Sequence, residues 1–189
     1  MPSHAHKKVI LRRLRPGGQA AGLTEILPGY LPLAGFVRNR SLDLLDLSGR
    51  VIPIFLNDVK LISYVRDFNL TDTTNPERIT RRTFLARPRS EGLWLRLTFT
   101  AGDLLEGLAP TDTSLLDNLV NDAGLFLIPP DTRANTQRIY VPRTSIAELA
   151  LLAVITSPSK KKPGPLLPDS AGPQQDLFSA ELPPNARPN

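Results

Sequence analysis

The side chains best supplied for chemistry are arginines. Arg78, Arg81, Arg82, Arg87 and Arg89 crowd into residues 76–91, opposed only by Glu77 and Glu91. Arg12 and Arg13 belong to a leading segment, residues 1–15, that holds five cations and no acid. Guanidinium forks match phosphate geometry. Arg12, Arg13, Arg78, Arg81 and Arg82 therefore form a candidate phosphate-contacting set, for nucleic acid or a nucleotide. The cluster also has a plainer use. Residues 92–155 carry seven acids against four cations, so the arginines can be neutralised by that region, and this use is favoured. A dedicated nucleic-acid module places its basic patch on the folded body. Here the excess positive charge lies on the leading segment and between two folded regions.

Catalysis is poorly supplied. His4 and His6 are the only histidines and have no further ligands at metal-site spacing. No nucleophile elbow, P-loop or dinucleotide fingerprint occurs. Asp43 and Asp46 are placed to pair with Arg38, Arg40 or Arg50 across strands, not to act as an acid/base dyad. The chain has no cysteine, which excludes disulfides and thiolate metal sites. The expectation is a non-enzyme with no catalytic residues, no metal and no cofactor. Trp94, the only tryptophan, falls on the polar phase of its segment. It is either a binding anchor or a cover for the junction between two halves of the chain, and the junction is favoured.

The elements that must carry these residues come in two similar sets. Lys8–Leu14 leads to Gly17 and Gly22, and Leu93–Phe99 leads to Gly102 and Gly107, with the same glycine spacing. Each pair is followed by an irregular stretch and a short apolar run, Leu42–Leu47 or Leu125–Ile128, read as strands. Each half closes with a two-part segment: Val51–Leu56 then Val59–Val65, and Arg138–Arg143 then Ile146–Leu151. Pro53 and Pro142 occupy nearly matching places. Proline cannot donate to a ladder, so both mark edges or bulges and argue against open-ended strand addition. In the second half Leu93, Leu95, Leu97 and Phe99 alternate with Trp94, Arg96 and Thr98, the pattern of a half-buried strand.

The reading is all-β: two tandem small barrels and a disordered C-terminal tail. Residues 1–7 form a flexible start, 8–70 the first barrel, 71–91 a linker, 92–155 the second barrel and 156–189 the tail. The tail holds eight of the 19 prolines and few large apolar side chains, too little to offset chain entropy. No run approaches the ~20 apolar residues of a membrane helix. The two N-terminal lysines are followed by Arg12 and Arg13, not by an apolar core of a leader, which points to a cytoplasmic protein.

A five-strand unit with a glycine turn, a bent glycine-bearing strand and a closing hairpin resembles Sm-like and SH3-like barrels. Gly102, Gly107 and Asp112 resemble the first half of the Sm pattern, and Ile139–Ile146 the second. The Arg-Gly pair that contacts RNA in Sm proteins reads Pro142-Arg143-Thr144 here, so that contact does not transfer. Residues 8–155 also resemble an uncharacterised bacterial family of duplicated modules, on the segments Ile62–Phe68, Glu91–Trp94 and Arg138–Arg143. In the tail, Gln174-Gln175-Asp176-Leu177-Phe178 resembles the pentapeptide by which bacterial proteins dock on the DNA sliding clamp. The resemblance implies that Gln174, Asp176, Leu177 and Phe178 meet a preformed pocket. The function expected first is a non-catalytic binding or adaptor protein whose partner is another protein. Nucleic-acid or nucleotide binding through the arginines, and clamp docking through the tail, are the alternatives. Oligomeric state stays open.

Overall fold

Alternating and continuous apolar runs become eleven antiparallel strands in the computed structural model, which describes residues 6–14, 24–111, 124–131 and 134–156. The described residues belong to one unit, residues 1–158. In the first half, β1 (Lys7–Leu14) pairs with β2 (Thr24–Leu31), and β2 with β4 (Ser41–Asp46). The short β3 (Val37–Arg38) turns back onto β4, and β4 pairs with β5 (Val51–Phe55). A 3-10 turn, Leu56–Asp58, feeds β6 (Val59–Val65), which returns to β1. The second half runs the same course. β7 (Gly92–Phe99) pairs with β8 (Leu104–Ala109), which meets the strand after it through a single bridge, Leu108 to Ile128. β9 (Leu125–Leu127) pairs with β10 (Thr136–Val141); a 3-10 turn, Arg143–Ser145, feeds β11 (Ile146–Ile155), which returns to β7.

The expected separate closed cylinders are not what the pairing forms. The ladders make one eight-stranded and one three-stranded sheet, both open. The physical reason is β6, which pairs with β1 on one side and with β10 of the other half on its second side. This seam lets two strands serve two cores. Val59, Ile62 and Tyr64 of β6 and Tyr140 of β10 pack into a first core with Leu11, Leu42, Leu44 and Ile54. Leu61 of β6 and Ile139 and Val141 of β10 pack into a second, with Leu97, Phe99, Leu125 and Leu127. All seven residues of β6 are buried as a result, which a strand with one wet face cannot achieve.

Two glycines fix how closely successive strands approach. A Cβ on Gly29 would lie 2.6 Å from the Leu45 carbonyl oxygen, and one on Gly107 would lie 2.8 Å from the Leu127 Cβ. The equivalent of Gly107 is thus Gly29, in Pro28-Gly29 of β2. Gly17 and Gly22, paired with it on sequence spacing, lie outside the described residues. So do Asp112 and the tail. Pro53 sits within β5, an edge strand as expected. Pro142 follows the end of β10 and precedes the 3-10 turn, so it does not block that strand's ladder with β6.

Candidate functional site at the seam

Residues 66–91 contain no regular strand, yet they are pinned to both halves. Asn135 holds the start of the segment: its side chain accepts from the Asp67 N–H at 2.9 Å and donates to the Asp67 carbonyl at 2.6 Å. The Thr136 hydroxyl donates to the Glu77 carbonyl at 2.9 Å. Further on, the Glu106 N–H donates to the Arg82 carbonyl at 2.7 Å. The segment is a strap laid across the seam.

Beneath it lies a cleft of about 380 Å³, lined by Arg12, Thr24, Lys60, Phe99, Arg82 and Asp103 among others. Arg12 rises from β1 and forks onto Glu77, Nε to Oε1 at 2.6 Å and Nη2 to Oε2 at 2.8 Å, while Nη2 also reaches the Thr74 carbonyl at 2.9 Å. The Glu77 side chain is fully buried, and a carboxylate is held there only if paired. Lys60 lies 2.8 Å from Asp103 Oδ1, with its ammonium 5.2 Å from the Phe99 ring centroid. Arg82 bonds the other oxygen of Asp103. Burial acts to raise the Asp103 carboxyl; hydrogen bonds and charge from Lys60 and Arg82 outweigh it and hold the group below the usual carboxylate range.

A second buried carboxylate, Glu106 on β8, gathers the end of the strap. It accepts from the Phe84 N–H at 2.9 Å, from Trp94 Nε1 at 3.1 Å and from Arg96 Nη2 at 2.7 Å. Burial acts to raise its carboxyl, and these donors, the Phe84 N–H foremost, bring it below the usual range. Trp94 stacks edge-on to Phe84, centroids 5.7 Å apart. It therefore clamps the strap to β7.

The five candidate phosphate contacts are divided. Arg12 and Arg82 share the cleft, each already engaged by a carboxylate. Arg13 approaches Asp58 at 3.4 Å. Arg78 lines a separate open cleft of about 340 Å³ with Arg66, Asn69 and Asp131. Arg81 is exposed. Asp46 is a turn cap, accepting from the Ser48 and Arg50 N–H groups at 2.9 and 2.7 Å. His6 is exposed; His4 and Gln174, Asp176, Leu177 and Phe178 lie outside the described residues. Among the described residues no three metal-ligating side chains gather, and no helix is long and apolar enough to cross a membrane.

The groups that sequence reasoning passed over are the buried charges Lys60, Glu77 and Glu106, with Asp103. The signal was present for two of them. Lys60 interrupts Val59–Val65 and Glu106 interrupts Leu104–Ala109, and a lone charge inside an apolar strand needs a partner. Neither any curated protein nor any solved structure matches the chain. Residues 5–153 match a family of unknown function, DUF6982, and with that span covered the chain belongs to this family.

Proposed function

We propose that this is a non-catalytic cytoplasmic binding or adaptor protein, built from two copies of one small barrel-like β unit of the Sm and SH3 kind. The observation that carries the reading is how the charged groups are used. At the seam they engage one another as struts, Arg12 with Glu77 and Lys60 and Arg82 with Asp103. Four of the large apolar groups that face outward lie instead on strands at the ends of the sheets: Val51 and Phe55 on β5, Leu151 and Val154 on β11. The like order of pairing in the two halves supports the duplication. The absence of cysteine agrees with a reducing compartment.

Affinity capture with the full chain, beside a chain ending at Thr156, tests this. The expected result is one protein retained in stoichiometric amount, with the shorter chain showing whether the body or the tail holds it. Retention of nucleic acid alone, falling steeply with salt as phosphate contacts require, or turnover of a small molecule by the purified chain, overturns the reading.

A further inference from the structure

We propose that copies of this chain join head to tail, β11 of one copy pairing antiparallel with β5 of the next. The inference rests on the duplication reading above. The seam inside the chain joins the last strand of the first unit, β6, to the strand before the 3-10 turn of the second unit, β10. The counterparts of those two strands are β11 and β5. Each pairs on one side only among the described residues, β11 with β7 and β5 with β4. The chain thus carries at its two ends the two halves of the joint it makes at its middle.

The internal register fixes the external one. At the seam Arg138 stands opposite Tyr64 and Tyr140 opposite Ile62. Counted from the 3-10 turns, Val51 takes the place of Arg138, Pro53 that of Tyr140, Leu151 that of Tyr64 and Leu149 that of Ile62. The transferred register sets Val51 against Leu151. These two side chains are 62% and 58% exposed, so the pairing buries apolar surface that is otherwise wet. β11 is lightly protected as an edge: its ten residues contain no lysine and no proline and one charge, Glu148, and its ladder with β7 shifts register at Ile146/Glu148 and Leu151/Ala153.

Pro53 shapes the joint without forbidding it. The Leu56 N–H donates to the Arg40 carbonyl, and the Arg50 carbonyl accepts from the Asp46 N–H. The even positions of this strand therefore turn inward to β4, and Val51, Pro53 and Phe55 turn their backbone outward. The outer side of β5 keeps the N–H groups of Val51 and Phe55 and lacks one at Pro53. The joint has fewer hydrogen bonds than the seam and dissociates on dilution.

Sedimentation of the full chain up to about 1 mM, a range that captures weak association, tests the idea with Val51→Lys and Leu151→Glu. The wild-type chain is expected to exceed its monomer mass of 20.8 kDa, and each variant alone to sediment as a monomer. Mixing the two variants restores association, because each supplies the edge the other lacks. Both positions are more than half exposed, and unchanged Trp94 emission confirms that the variants are folded. A monomeric wild type overturns the proposal. So does a dimer that survives Val51→Lys and is lost only with Leu151→Glu, which is the signature of two β11 strands pairing with each other. A monomeric wild type that still captures a foreign protein leaves the adaptor reading standing, so the two can fail separately.

Discussion

Glu106 shows what a single buried charge contributes to this protein. Its two oxygens tie together Phe84 of the strap, Trp94 and Arg96 of β7. Replacing it by glutamine keeps the shape and removes the charge. Glu106→Gln is expected to lower stability by about 2 kcal/mol, the scale for a hydrogen bond to a charged group, and to shift Trp94 emission, both read by denaturant titration. The pH dependence has a definite sign. Asp103 and Glu106 have carboxyls depressed in the folded state. Their stabilisation is complete above the unfolded values of about 3.9 and 4.3 and is lost as pH falls through the lower folded values. The denaturation midpoint is expected to be level from neutrality down to about pH 5 and to fall below about pH 4. Glu106→Gln should reduce that acid-side fall; an equal fall in wild type and variant counts against the assignment.

At the scale of the element, two glycines and one strand decide most of the architecture. Gly29 and Gly107 each stand where the following strand crosses closely, with contacts a methyl group cannot share. Gly29→Ala and Gly107→Ala are expected to destabilise by about 1–3 kcal/mol, as overpacking does, while alanine in place of the exposed Gly102, whose Cβ would meet open space, meets no clash and is strained only by the left-handed backbone its φ of +87° imposes. Thermal melts of the three variants separate the effects. The strands themselves were legible in the sequence. Alternation marked β7, and the runs Leu42–Leu47 and Leu125–Ile128 became β4 and β9. The seam was not legible. Nothing in Val59–Val65 distinguishes a strand paired on one side from one paired on both, because a mostly apolar run is compatible with either. The strap was read as a linker for a related reason: its anchors, Glu77 and Asn135, act through partners distant in sequence.

Across the whole molecule, two cores share a wall. Because β6 and β10 send side chains into both, a cavity made in one core loosens strands that line the other. Leu44→Ala, in the first core, is expected to cost about 2–5 kcal/mol and to move the unfolding midpoint reported by Trp94, on β7 of the second half, by the same amount as the far-UV signal. Separate midpoints would mean that the halves unfold independently. The candidate site was legible only as an inventory of arginines. Five were singled out and two meet, because which cation faces which acid depends on the strap's path and not on local charge density.

The strap's far end, from Leu85 to Arg89, has a consequence for how this protein can be built. Leu85 is 79% exposed, and Arg87 and Arg89 are exposed as well. The links described between the halves all lie to either side of this stretch: the ladder of β6 with β10, Lys60 and Arg82 with Asp103, and the Phe84 N–H with Glu106. A nick between Leu85 and Arg87, ahead of the buried Pro88, severs the peptide while leaving the mated surfaces intact. The two products would stay together as partners, and a gene divided at this point into two reading frames could still encode the same architecture.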